Sequence, residues 1–496
     1  MMKYVALLLA LMLLIPAALA QEDDEYTFTV VGGKEENQVY ADQEIEGFTI
    51  TNFTYRSLYP FGLEFKATIT PPEDVTIQSV TLFYSYTNSG TRSRIPARLS
   101  GQGENEWIAI PYEGAGLPPW HEIDVVWGIR AGDVNVDSEP VHAVYYDPTR
   151  EWFRAESEDI IIYWFDMPTD LGKLVIEAME TSRPMYLEGF GELLPYRPLA
   201  IIFPPGSIWN EYRGDDIEDT QFGFTGTIIS EAGSTIQRVR TLEPAVIRKD
   251  CVWNPVDPDV TWQMEYVAST VTHEVAHLYQ QFIGIGGPTW WIEGQATFFE
   301  NIDEYPMHER VKGVGELRNG DLPSLQGTGP SGGPFLPAED GCTHLAYDMG
   351  KSFMRWIVET QGGMQTYNAI VEELKKGSRL ADALQVATGQ SFVELENQWR
   401  AFLGFDDIPA EVLDPGAALT EADNPLYAKG DTLTTPSFPV MMPLNDVPKD
   451  PAIANAFCPA RSNVTVLRSG SDGTTNWYEI ECVGLTGWVQ EGSLNQ

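Results

Sequence analysis

Thr272-His-Glu-Val-Ala-His-Leu-Tyr279, then Gly284-Ile-Gly-Gly-Pro288, then Thr289-Trp-Trp-Ile-Glu-Gly-Gln-Ala296 are the stretches whose reading decides the fold. The first lies in a helical pattern. Residues four apart on a helix share a face, so His273 and His277 can hold one metal ion. Glu274, beside the first histidine, can reach a water at that metal, which is the pattern of a zinc hydrolase. Clustered Gly and Pro at 284–288 end the helix. A second helix begins near Trp290 and carries Glu293. The short turn folds it back on the first and brings Glu293 towards both histidines. His273, His277 and Glu293 then leave one of four tetrahedral positions open, as a catalytic rather than a structural zinc site does. A surface helix with ordinary ion pairs would account for the first stretch, but it gives no reason for the second. Affinity order alone does not choose zinc over another divalent ion.

Upstream of this stretch the pattern is a sheet. Asp159-Ile-Ile-Ile-Tyr-Trp164 reads as a strand, Asp170 to Glu188 as a helix, and Leu199-Ala-Ile-Ile-Phe203 and Gly226-Thr-Ile-Ile229 as further strands. From about Thr261 onward the pattern is mainly helical, so the class is α+β. Farther towards the amino end, residues 22 to about 148 alternate at period two in Gly62–Thr70, Val80–Tyr86 and Glu122–Ile129, with turn signals between. That spacing predicts a β-sandwich of immunoglobulin or fibronectin type. Residues 407–430 are rich in Pro, Ala, Asp and Gly and read as a linker. Short strands return in 431–496. The chain is therefore multidomain: 1–20 an export signal, 21–148 the sandwich, 149–406 the domain with the metal motif, 407–430 the linker and 431–496 a small β-module.

The export signal rests on Lys3, an apolar core over residues 5–15 and the small-x-small site Ala18-Leu-Ala20. The apolar run is too short for a comfortable membrane span and no later one reaches that length. The expected location is secreted or extracytoplasmic, with no membrane span after signal cleavage. The 496 residues carry 72 acidic and 31 basic side chains, a net charge of −41. A field of that sign repels nucleic acid and anionic membranes, which excludes both as favoured partners. The four cysteines, Cys251, Cys342, Cys458 and Cys482, suit an oxidising compartment and allow three pairings. The last two share one small module, which favours Cys458–Cys482 together with Cys251–Cys342.

His273-Glu-Val-Ala-His277 and Pro288-Thr-Trp-Trp-Ile-Glu-Gly-Gln-Ala296 together resemble the gluzincin metallopeptidases, in particular bacterial peptidases with an aminopeptidase-like catalytic domain. The likeness runs over about residues 150–405 and includes Gly377-Ser-Arg-Leu-Ala-Asp-Ala-Leu384 and Leu395-Glu-Asn-Gln-Trp-Arg400. It implies a zincin-like fold, one Zn2+ per chain on His273, His277 and Glu293, Glu274 as general base, and a peptide or protein substrate. His344-Leu-Ala-Tyr347-Asp-Met-Gly350 resembles the segment that carries the family's transition-state tyrosine. This makes Tyr347 the expected oxyanion donor, with His344 one turn earlier as runner-up. The family's aminopeptidases hold the substrate amine with a Glu in a Gly-x-Met-Glu-Asn strand. Here the corresponding stretch, Phe222-Gly-Phe-Thr-Gly-Thr-Ile-Ile229, has no such Glu, and the spacing from His277 to Glu293 is shorter. Endopeptidase and aminopeptidase action therefore both stay open. Trp477-Tyr-Glu-Ile480 and Gly487-Trp-Val489 resemble a bacterial SH3-like domain, which implies a small β-barrel that binds cell-wall peptide or peptidoglycan.

These readings predict a secreted zinc-dependent metallopeptidase. The rival class is a non-catalytic zinc-containing protein that binds cell-surface or cell-wall polymers. Glu274 separates the two, because a binding protein has no use for a base beside both ligands.

Overall fold

Leu199–Phe203 is buried at all five positions, and it lies in the middle of a six-stranded sheet. In the computed structural model the order across that sheet is Thr29–Gly32, Glu151–Glu156, Ile161–Trp164, Leu199–Phe203, Ser234–Val239 and Phe224–Ile229. The structure describes residues 27–35, 37–87, 92–111, 118–204, 224–239, 264–300, 308, 311–312, 322–326, 345–409, 413–414, 416, 419–422, 424–435, 441–445, 448, 454–483 and 485–494. The export signal, Cys251 and Cys342 lie outside them.

Both faces of this sheet are covered, which is why its central strand reads as an unbroken apolar run. Ala200 and Ile202 face a layer of helices, while Leu199, Ile201 and Phe203 face the N-terminal β-structure. Helix α1, Leu171–Phe190, is the crossover between Ile161–Trp164 and Leu199–Phe203, which pair in parallel. Parallel neighbours need such a crossover, so helix and sheet are interleaved here rather than strictly consecutive. Thr29–Gly32 crosses over from the N-terminal end to pair with Glu151–Glu156.

Residues 38–144 form two antiparallel sheets that share one apolar core. Inward and outward positions alternate along Phe48–Ser57, Leu63–Thr70 and Glu122–Ala131. The seam with the central sheet is aromatic and polar at once. Trp120 stacks on Tyr163 at 4.7 Å, and the buried His121 ring meets the Ser234 hydroxyl at 2.8 Å.

Beyond the central sheet, α2 (Met264–Ile283), α3 (Thr289–Phe298), α4 (Leu345–Thr360), α5 (Met364–Lys375), α6 (Leu380–Thr388) and α7 (Phe392–Leu403) make the helical layer. A capping box of Ser391 and Glu394 starts α7, and Gly404 in the left-handed region ends it. At the C-terminal end six strands form an antiparallel sheet with its own small core, and a Cys458–Cys482 disulfide ties two of them. Part of the stretch read as a linker lies against this module. Thr420 bridges Ser471, the Leu426 amide donates to the Tyr478 hydroxyl at 2.8 Å, and Asp414 pairs with Arg468 at 2.6 Å. Among the described residues no helix is long and apolar enough to cross a membrane.

Candidate metal centre

Helix α2 buries Val267, Val271 and Val275 against the core, and this anchors the face that carries His273 and His277. Tyr186 on α1 donates to the Thr272 carbonyl at 2.6 Å and fixes the helix at the first ring. After Ile283 the chain turns at Gly284, whose φ is +70°, and α3 starts after Pro288. Trp290 and Trp291 are fully buried and hold α3 in place, so Glu293 points back at α2.

Three atoms converge. The Nε2 atoms of His273 and His277 are 3.2 Å apart, and each lies 3.3 Å from Glu293 Oε2. Tetrahedral ligands at about 2.0–2.1 Å from zinc stand about 3.3–3.4 Å from one another, so the triangle has the right size for such an ion. The Glu274 carboxylate also comes within 4.8 Å of both ring nitrogens, but Glu293 is nearer and closes the triangle. These residues could hold a metal ion.

Hydrogen bonding settles which face of each ring looks inward. His273 Nδ1 lies 2.7 Å from Glu300 Oε1, and a carboxylate oxygen can only accept. His277 Nδ1 lies 2.7 Å from Gln280 Oε1, whose amide nitrogen donates elsewhere. Both Nδ1 atoms therefore carry hydrogen, and both Nε2 atoms face Glu293. Three acceptors that close together need positive charge among them. Burial opposes a charge on His273, yet the Glu293 and Glu300 carboxylates outweigh it and lift its pKa to about 10. Burial likewise works against the Glu293 carboxylate, but the two imidazoles hold it well below the usual carboxylate range. A divalent ion at the centre supplies that charge directly.

Glu274 is buried, and burial raises its carboxyl pKa against the pull of the two histidines. Tyr347 reaches the same centre from α4. Its ring stacks over His273 at 6.1 Å, and its hydroxyl hydrogen-bonds with Glu293. Burial first, then the Glu293 and Glu274 charges, keep that phenol protonated far above neutrality. The close approach has a visible cause: α3 and α4 cross at Gly294 and Gly350. A Cβ on Gly350 would run into the Trp290 carbonyl and Gly294, so only glycine fits there.

The structure thus brings together His273, Glu274, His277, Glu293 and Tyr347. His344 lies outside the described residues. Sequence reasoning missed Glu300, Gln280, Gln295 and Tyr367, which back the two rings. A signal existed for two of them: Gln280 follows His277 by three and Glu300 follows Glu293 by seven, both same-face helical spacings.

No protein-family model matches the chain, and no curated protein matches its sequence. Among solved structures it is similar to native yeast LTA4 hydrolase, with 11% identity and a TM-score of 0.28 over 72% of this chain and 66% of that one. An aminopeptidase N family protein from Idiomarina loihiensis is similar with 9% identity and a TM-score of 0.30, over 88% of this chain and 96% of that one. So is a mutant M1 zinc metallopeptidase from Deinococcus radiodurans, with 11% identity and a TM-score of 0.28, over 78% and 96%. The chain spans about two thirds of the yeast enzyme's length. Overlap this slight fixes no chemistry, which rests on the ligand triangle instead.

Proposed function

We propose that this chain is an exported zinc peptidase that hydrolyses peptide bonds, with His273, His277 and Glu293 as metal ligands and Glu274 as general base. The observation that carries the reading is the triangle itself: three ligand atoms 3.2–3.3 Å apart, with each ring's Nδ1 engaged by an outer partner so that its Nε2 faces inward. Zinc bound there supplies a Lewis acid for the scissile carbonyl and a water of lowered pKa. Glu274 takes the attacking water's proton and passes it to the leaving amine. Its burial raises its pKa, the direction a base working near neutral pH needs. Tyr347, kept neutral, donates its hydroxyl proton as a hydrogen bond to the developing oxyanion.

Phe224–Ile229 favours an extended polypeptide as substrate. It is the outermost described strand of the central sheet, and it packs beside α2. A peptide can add to such an edge by main-chain hydrogen bonds, which requires no free amino terminus. That geometry supports endopeptidase action over aminopeptidase action. The C-terminal module, read as SH3-like, would tether the enzyme to cell-wall peptide.

The test is cleavage of unfolded protein by the mature chain, with and without chelator, with products read by mass spectrometry. Glu274→Gln should keep its zinc and lose about 10²–10⁴ in rate. Wild-type turnover in that variant, fully folded and zinc-loaded, would refute the mechanism. Products trimmed only from the amino end would replace endopeptidase with aminopeptidase.

A further inference from the structure

We propose that Gln280 is a positioning residue for the metal site, the inner member of a buried relay, Gln280–Gln295–Tyr367, that sets the tautomer and orientation of His277. The proposal rests on the zinc reading above. His277 Nδ1 lies 2.7 Å from Gln280 Oε1. Gln280 Nε2 donates to the Ile292 carbonyl at 2.9 Å and to Gln295 Oε1 at 2.8 Å. Gln295 Nε2 donates in turn to the Tyr367 hydroxyl on α5 at 2.6 Å. Gln280 is 4% exposed, and Gln295 and Tyr367 are fully buried, so water cannot stand in for any of these partners.

One backbone group orients the whole chain. The Ile292 carbonyl can only accept. Flipping Gln280 alone would set its carbonyl oxygen against that carbonyl and against Gln295 Oε1. Flipping Gln295 alone would set two amide nitrogens face to face. Flipping both still leaves Gln280 Oε1 against the Ile292 carbonyl. The orientation present is the one that satisfies every member, and it obliges His277 to carry hydrogen on Nδ1 and offer Nε2 inward. Ile292 directly precedes the ligand Glu293, so the backbone at the third ligand dictates the state of the second.

The two histidines are backed differently. Glu300 places a carboxylate behind His273, whereas the relay behind His277 is neutral. A centre that already buries or half-buries Glu274, Glu293 and Glu300 gains a fixed ring from the relay without a further charge to desolvate.

Gln280→Met keeps the side chain's length and removes its hydrogen bonds. The full chain carrying it should bind zinc 10–100-fold more weakly in competition with a chelator, the usual cost of losing an outer partner of a metal-bound histidine. Its cobalt(II)-loaded form should also show altered visible absorption bands, because the ring is free to turn. Tyr367→Phe removes one hydroxyl and should shift affinity and spectrum in the same direction by less. A folded Gln280→Met with wild-type zinc affinity and an unchanged cobalt spectrum overturns the proposal. A loss in Gln280→Met with none in Tyr367→Phe overturns the relay beyond Gln280. Zinc binding that depends on Gln280 in a chain that cleaves no peptide would sink the peptidase reading and leave this one standing.

Discussion

Strand Phe48–Ser57 turns Phe48, Ile50, Phe53 and Tyr55 inward, and strand Glu122–Ala131 answers with Ile123, Val125, Trp127 and Ile129. Helix α2 also has a buried face, but beside its valines that face carries His273, Glu274 and Gln280. The rest of the helical layer continues in kind, burying Asp348, Lys351, Glu396 and Arg400. Glu396 accepts from the amides of Leu325 and Gln326, and Arg400 donates to the Leu322 carbonyl, so this pair holds a stretch of irregular backbone against α7. Apolar burial gains about 25 cal/mol per Å², whereas burying an ionisable group costs several kcal/mol unless it is paired. The sandwich is thus built for stability, and the helical layer accepts a cost in stability wherever a charge must stand dry, at the candidate metal centre and at the Glu396–Arg400 brace alike.

If that division is right, mutations in the two regions should separate stability from turnover. The largest effect should come from Trp127→Ala, which empties the centre of the sandwich core. It should cost about 3–5 kcal/mol in chemical denaturation, with kcat of the remaining folded protein unchanged. A matching fall in kcat would break the comparison. Tyr347→Phe should do the reverse: kcat lower by about 10²–10³ with KM nearly constant, and a melting temperature close to that of the wild type. If Tyr347→Phe melts early at full kcat, Tyr347 is a packing residue and the oxyanion donor lies elsewhere.

A third test sharpens the seam between the regions. His121 is fully buried, and burial lowers its pKa to about 4 despite its hydrogen bond to the Pro118 carbonyl. Its folded pKa lies below the ordinary 6.5, so folding prefers the neutral ring. That contribution is whole above pH 6.5 and is lost as pH falls towards 4, about 3 kcal/mol by linkage. His121→Asn removes the titration, so the stability difference between wild type and variant should change across that window. A difference that stays constant with pH would mean that the ring is solvated and the seam is open.

Much of this was legible beforehand, for one reason: period. Alternation at two marked the strands of the sandwich, and spacing of four put His273 and His277 on one face. The helix expected over residues 170–188 spans Leu171–Phe190, and the stop expected at Gly284–Pro288 falls there. The strand Thr29–Gly32 escaped notice as a member of the central sheet, because its partner Glu151–Glu156 lies more than a hundred residues away and nothing local announces it. Glu300 escaped because it lies just past the end of α3 and was not read as part of that helix's face.

By itself the sequence determined which residues could be ligands, since a helix repeats at a distance set by its own backbone hydrogen bonds and needs no tertiary context. It also determined the strand alternation and the glycine breaks, which are properties of neighbouring residues. Only the tertiary structure decided what state those ligands are in. Tautomer, charge and ring orientation depend on partners brought from elsewhere: Glu300 for His273, the Ile292 carbonyl through Gln280 for His277, and Tyr347 carried in where Gly294 meets Gly350. Hydrogen bonds act over about 3 Å and only along particular directions, so they are fixed by how the helices cross and not by the order of residues along them.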